Sequence, residues 1–413
     1  MNYAVVGFGT AGYHAVKAIR ACDKEGEIDV YSNTSRAPYN PMLTTYYAFG
    51  KLEFDGLFPF GDLDQIRKEI SFHLIQEPVI RVHAKEHLVE TKQQTKQYDR
   101  ILIATGARAF APPVKGLDPE DAFLMRTVED SIRFKERLKQ KNVRHAVVIG
   151  ASMAGIKVVE VLHKFGIETW LLDLAPHIFP LAAYPEVSAE IEKRVETQGV
   201  HLKFGATIDH MEQEDGQKIA VLTDGSRIPA DIVGLCIGTR AITDPVKDEV
   251  AIVRGITVND HMETSVPGVY AAGDCCEGNN LESGQNQIIG LWANANRQGE
   301  TAGANMAGQG VAYHGNILHN ITHFMNMDFI GFGDNRLTGE VLEYGSLEDS
   351  LYVRLVLGAN ILDNYRISGI VKNYMLRLFA GEEFVLPDYQ RAMLQKAGLS
   401  EAFIDEIEEK LHG

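Results

Sequence analysis

Cysteine is scarce: Cys22, Cys236, Cys275 and Cys276 are the four in a chain of 413 residues. Such a count excludes the disulfide framework of small secreted domains, and no two of them form a C-x-x-C metal or redox pair. A reducing, cytoplasmic compartment is expected. Long apolar runs are missing as well. The most apolar stretch, residues 146–162, is interrupted by Lys157 and Glu160, whereas a membrane span needs about 18 apolar residues in succession. Basic residues are in deficit, with Lys plus Arg at 40 against 56 for Asp plus Glu, a formal charge of −16. That field repels a phosphate backbone, so nucleic acid is not an expected partner. The first residues, Met-Asn-Tyr-Ala-Val-Val, lack a basic leader and run straight into a strand pattern, so no signal peptide is expected.

Hydrophobic residues make up 45% and charged residues 23%, close to globular averages of roughly 45–50% and 25%. At about 150 residues per domain the length predicts two or three folded domains. Residues 3–12, Tyr-Ala-Val-Val-Gly-Phe-Gly-Thr-Ala-Gly, read as a strand and a glycine-rich turn, with a helix following from Tyr13 to Ala21. In a G-x-G-x-x-G of this kind Gly7 permits the tight turn, Gly9 lets a pyrophosphate approach, and Gly12 lets helix and strand pack closely. Ile28–Tyr31 supplies the second strand. It is followed by Ser32 and Asn33, where an acid that binds ribose is expected. An ordinary strand-to-helix turn that uses glycine for its φ angles is the alternative reading.

The pattern recurs at Ala146-Val-Val-Ile-Gly150-Ala-Ser152-Met153-Ala154-Gly155, followed by a helix to Lys164 and the strand Thr169–Asp173. Here the middle glycine is a serine, and the acid is present as Asp173. A carboxylate there accepts hydrogen bonds from a ribose diol and repels a 2′-phosphate, which favours NAD over NADP. Capping a surface strand is the alternative role. Between the two units, Tyr98–Arg108 is an apolar strand closing on Ala104-Thr105-Gly106. A later one, Gly268–Asp274, closes on Gly273-Asp274, where the carboxylate could take a sugar hydroxyl or cap the next helix.

These four segments, in this order, resemble the two-dinucleotide-fold flavoprotein reductases of the pyridine nucleotide-disulfide oxidoreductase class. The resemblance implies an α/β fold with two doubly wound dinucleotide-binding domains and a C-terminal α+β interface domain. FAD would be bound by residues 1–110 and 235–320, NAD by 111–234, and 321–413 would pair two subunits in a homodimer. It assigns Gly7, Gly9, Thr10, Ala11, Gly12, Ser32, Asn33, Pro41, Met42, Val79, Ala104, Thr105, Gly106, Gly273 and Asp274 to cofactor binding. Gly150, Ser152, Met153, Ala154, Gly155, Asp173 and Gly238 complete the set. No metal is implied.

Within that class the chain looks most like NADH oxidases, coenzyme A disulfide reductases, nitrite reductases and ferredoxin or rubredoxin reductases. Met42 falls where the first two groups carry their single active cysteine, and a thioether cannot form a thiolate, a mixed disulfide or a sulfenic acid. Met42 reads equally as a core-packing residue. Cys22 and Cys236 read as packing residues, and Cys275-Cys276 as adjacent thiols that close only a strained ring. Lys157 stands where relatives carry a glutamate, placing a cation near the hydride path. Arg240-Ala-Ile replaces a usual Pro-Asn. His319 and His323 could donate protons, or be ordinary surface or core histidines. The expected activity is NADH-dependent reduction of FAD, with electrons passed to an unidentified small molecule or redox protein. A flavin-bearing or degenerate scaffold subunit of a larger complex is the second expectation, motivated by Ser32, Ser152 and Lys157.

Overall fold

Apolar, β-branched runs become strands where glycine and small-residue turns delimit them. The computed structural model describes residues 1–140, 142–333, 342–347, 351–355, 359–363, 367–380 and 386–412. The elements framing the two glycine turns are, in chain order, β1 (Asn2–Val6), α1 (Thr10–Cys22), β2 (Glu27–Tyr31), β3 (Arg100–Ile103), β4 (His145–Ile149), α2 (Met153–Lys164), β5 (Glu168–Asp173), β6 (Ile232–Leu235), β7 (Val269–Ala271) and α3 (Trp292–Met306).

Two compact units are present. The first comprises residues 1–108 and 239–316. Its parallel sheet runs β7–β3–β1–β2 and ends with His73–Ile75. The chain leaves β1 through α1 to β2 on one side and reaches β3 on the other, so strand order reverses between β1 and β3. Open α/β sheets bind ligands at the carboxyl ends of strands at such a reversal. Val5, Val30, Ile101, Leu102 and Ala271 are completely buried, as strands of a parallel sheet covered on both faces should be.

The second unit comprises residues 109–238 and 317–413. It repeats the plan: its parallel sheet runs His201–Phe204, β5, β4, β6 and Ala122–Phe123. β4, α2 and β5 stand as β1, α1 and β2 do, and β6 takes the place of β3. The same unit holds an antiparallel sheet in the order His319–Phe324, Met327–Phe332, Ala359–Leu362, Leu351–Leu355, Leu342–Ser346. Helices Ser368–Ala380, Asp388–Lys396 and Glu401–His412 follow it. The fold is therefore α/β, with two doubly wound sheets and an α+β C-terminal part. Among the described residues no helix is long and apolar enough to cross a membrane.

In the first unit α1 packs on α3 through small residues. A β-carbon on Gly299 would collide with the Ala11 carbonyl, and one on Gly303 with the Ala15 carbonyl. The pairs are four residues apart on each helix and so share one face. Gln298 of α3 accepts the Gly273 N–H at 2.9 Å, and Asn294 accepts from Tyr313 Oη at 2.6 Å and Asn316 Nδ2 at 3.1 Å. The three atoms nearest a β-carbon at 299 are all backbone atoms of Ala11. Gly299→Ala is therefore expected to lower the unfolding free energy by about 1–3 kcal/mol, the usual range for overpacking. Denaturant titration reads the change, and an unaltered midpoint would contradict the close helix contact.

Candidate functional site

The first glycine turn is built by backbone meeting backbone. Gly7 has φ +107°, a conformation that side chains rarely adopt. A β-carbon on Gly7 would also collide with the Ala104 carbonyl and stand 3.1 Å from Thr105 N, while one on Gly12 would collide with the Gly7 carbonyl. The turn after β1 thus presses directly on the Ala-Thr-Gly segment after β3. Gly273 joins them, because a β-carbon there would lie 3.1 Å from Ala11 Cβ. The Asp274 carboxylate faces Gly290. Thr10 Oγ1 donates to Asn296 of α3, and Thr105 Oγ1 to the Ile242 carbonyl at 2.6 Å.

Gly9 is the exception among these contacts, since nothing lies within 4 Å of where its β-carbon would be. It N-caps α1 without a side-chain hydrogen bond. The first N–H groups of a helix have no intrahelical partner, and the macrodipole favours negative charge beside them. An uncapped helix start behind an open glycine fits the diphosphate of a dinucleotide.

The remaining first-unit candidates lie in other segments, with contacts of their own. Ser32 is buried, and its hydroxyl donates to the Thr34 carbonyl at 2.9 Å and accepts the Thr34 N–H at 3.3 Å. Asn33 is exposed and Gly106 half-buried. Val79 opens the strand Val79–His83 of a separate antiparallel sheet. Pro41 and Met42 form a 3₁₀ turn capped by Asn40, which accepts the Met42 N–H at 3.0 Å. Met42 is 55% exposed. The core-packing reading of this residue is thereby overturned: a short turn starting at proline holds the thioether outward.

The second turn repeats the geometry. Gly150 has φ +104°, a β-carbon on it would collide with the Cys236 carbonyl after β6, and one on Gly155 would collide with the Gly150 carbonyl. Ser152 N-caps α2, accepting the Gly155 N–H at 3.4 Å and donating to the Cys236 carbonyl at 3.2 Å. Asp173 is fixed at the end of β5: Oδ2 accepts the Ala151 N–H at 2.7 Å and Oδ1 the Ala175 N–H at 2.8 Å. Its carboxylate is held against the turn with lone pairs left for a diol. Met153 and Ala154 form the first turn of α2, half-buried and exposed respectively. The Gly238 carbonyl accepts the Phe110 N–H at 2.9 Å.

Comparison with known proteins bears on the same segments. The family model described as pyridine nucleotide-disulphide oxidoreductase matches residues 1–299. The chain belongs to that family. Among proteins similar to it is an NADH oxidase of Methanocaldococcus jannaschii, 27% identical over 75% of this chain and 70% of that protein. Another is the NADH-dependent phenylglyoxylate dehydrogenase subunit epsilon of Aromatoleum evansii, 26% identical over 87% of this chain and 86% of that one. The solved structure of a water-forming NADH oxidase from Lactobacillus brevis, bound to NADH, superposes with a TM-score of 0.84. It covers 98% of this chain and 100% of the other at 20% identity, which speaks to fold alone. As a member of the pyridine nucleotide-disulphide oxidoreductase family, the chain is an FAD-dependent NAD(P)H oxidoreductase that uses FAD and NAD(H).

Several residues read from sequence alone stand differently in this family member. Lys157 is buried, with Nζ donating to Glu160 of the next turn of α2 and, at 2.7 Å, to the His323 carbonyl. Glu160 also accepts the Met325 N–H at 3.2 Å. The expected cation near a hydride path is therefore neutralised inside the second unit, where it clamps α2 to the turn between strands His319–Phe324 and Met327–Phe332. Cys22 is exposed rather than packed, because it ends α1 beside the loop at Asp23. Cys236, Cys275 and Cys276 are buried free thiols. Burial pushes the Cys236 thiol up to about 12 and raises Cys275 and Cys276 as well, so all three stay protonated at neutral pH. His319 is pushed down to about 4, first by burial and then by Lys372, and is neutral at pH 7. His323 Nδ1 pairs with Asp328 at 2.7 Å.

Sequence reasoning missed α3, whose Asn296, Gln298 and Gly299 hold Thr10, Gly273 and Ala11. The available signal was the matched spacing of Gly299 and Gly303 with Ala11 and Ala15. The Lys157 clamp yields a prediction. Lys157→Met removes the cation from a buried pair, an operation that costs about 3–5 kcal/mol, and the drop should appear in the unfolding midpoint. A change within about 0.5 kcal/mol, the level of ordinary surface substitutions, would contradict the pairing.

Proposed function

We propose that the chain is an NADH-dependent flavin oxidoreductase that passes electrons to its acceptor without a redox-active thiol. In this reading FAD is held by residues 1–110 and 235–320, NADH by residues 111–234, and the protein is a cytoplasmic homodimer paired through residues 321–413. FAD, when bound, supplies the hydride and electron chemistry. The chain's own groups bind and orient. The uncapped start of α1 takes the FAD diphosphate across Gly9, with Ala104-Thr105-Gly106 and Gly273-Asp274 closing around it. Asp173 takes the ribose diol of NADH and disfavours a 2′-phosphate by charge.

The observation that carries the thiol-free reading is Met42. It is exposed, and the sequence resemblance sets it where NADH oxidases and coenzyme A disulfide reductases carry a cysteine, while Cys236, Cys275 and Cys276 are buried with raised thiols. The acceptor is a small molecule or a redox protein. A second reading, that the chain is the electron-handling subunit of a larger enzyme, is favoured by its match to the Aromatoleum evansii subunit over 87% of this chain and 86% of that one. Copurification of the native protein with other catalytic subunits would favour that second reading over a free-standing reductase.

Two measurements test the proposal. Alkylation of the native, FAD-loaded protein is expected to label Cys22 alone and to leave NADH-driven reduction of an artificial acceptor intact. Activity lost in step with modification of Cys275 or Cys276 would overturn the thiol-free route. For Asp173→Ala, kcat/KM with NADH is expected to fall about tenfold or more, since hydrogen bonds to charged groups are worth about 1.5–3 kcal/mol. The value for NADPH should fall less, so the preference for NADH narrows. Equal losses for both nucleotides would remove Asp173 from ribose recognition.

A further inference from the structure

The two turns share a backbone plan but differ in who satisfies the helix behind them. At α1 the capping residue is Gly9, with no side-chain hydrogen bond and open space in front of it. At α2 the capping residue is Ser152, whose Oγ takes the Gly155 N–H and whose hydroxyl proton goes to the Cys236 carbonyl. A neighbouring donor, Ala151 N–H, is also taken, by the Asp173 carboxylate. The second turn therefore engages two donors beside its helix start, Gly155 N–H and Ala151 N–H, with its own side chains, whereas the first leaves its helix start to an incoming anion.

From this contrast we infer that Ser152 is a positioning residue that sets how tightly the nicotinamide dinucleotide is held, keeping it exchangeable by competing with its diphosphate for the start of α2. The inference rests on the reading that the second turn binds NAD(H). A diphosphate that approaches α2 must take up N–H groups while the serine oxygen, with its own lone pairs, occupies Gly155 N–H. Each helix donor given to a phosphate forms a charge-assisted hydrogen bond, stronger than the neutral one it replaces. Gly155 cannot serve both partners well. Glycine at 152 removes the competitor and reproduces the arrangement at Gly9, and glycine is a tolerated N-cap. Threonine keeps a capping oxygen.

The test is calorimetric titration of the full-length, FAD-loaded protein with NAD⁺ and, separately, with ADP-ribose, which carries the diphosphate without the nicotinamide. S152G is expected to bind both about fivefold more tightly than wild type, the scale of one improved charge-assisted bond. S152T should return to the wild-type value. In steady state S152G should lower KM for NADH, with kcat falling where product release limits turnover. S152A, which removes the oxygen but keeps a β-carbon, is the second variant should S152G fail to fold, and it too should bind more tightly than S152T. Equal or weaker binding by S152G and S152A overturns the role of Ser152. Wild-type protein that binds neither ligand overturns the assignment of the second turn to NAD(H), and this inference with it. A gain with NAD⁺ that is absent with ADP-ribose also overturns it, because the effect would then lie at the nicotinamide end.

Discussion

The close approach of two backbones at a strand-order reversal is the constraint on which this molecule depends. It occurs twice, at Gly7 against the Ala104 carbonyl and at Gly150 against the Cys236 carbonyl. At each place a positive φ and a missing β-carbon are required together. The consequence is local and geometric. The strand-end segments are drawn in until only backbone separates them, and the helix that follows points its start into the crevice. A helix start so placed offers donors where a diphosphate can reach them, which is what the proposed dinucleotide sites use.

Around the first of these crossings the packing is made of small residues and buried amides. Gly299 and Gly303 bring α3 onto α1, and Gln298 fixes the Gly273 amide. In the second unit a buried Lys157–Glu160 pair does the equivalent tying, joining α2 to the backbone of His323 and Met325. The two solutions differ in energetic character. Close-packed glycines tolerate no added volume, while a buried ion pair tolerates no loss of one partner.

Much of this was legible in the sequence because it is written in local patterns. The glycine spacings, the strands on either side, Asp173 and the Ala-Thr-Gly and Gly-Asp strand ends each occupy a few consecutive residues with a stated stereochemical need. What could not be read is non-local. Glu160 lies one turn from Lys157, but the His323 carbonyl that completes the clamp lies 166 residues away along the chain, so local pattern alone leaves the charge on the hydride path. The glycines of α3 argue against a helix by propensity, and only the small residues of α1 opposite them give them a purpose. Met42 and Cys22 are apolar or weakly polar residues in short, ambiguous segments. A packing role is one of two readings for Met42 and the expected one for Cys22, and the turn at Pro41 and the end of α1 leave both exposed.

In the proposed function, electrons from NADH are held by flavin alone before they leave for the acceptor. The most direct measurement is an anaerobic titration of the FAD-loaded protein with NADH, followed by flavin absorbance. A flavin-only centre accepts two electrons, so bleaching is expected to be complete at one NADH per FAD. A second equivalent consumed before the end point would reveal a dithiol or another redox group and contradict the account, as would a flavin that NADH fails to bleach.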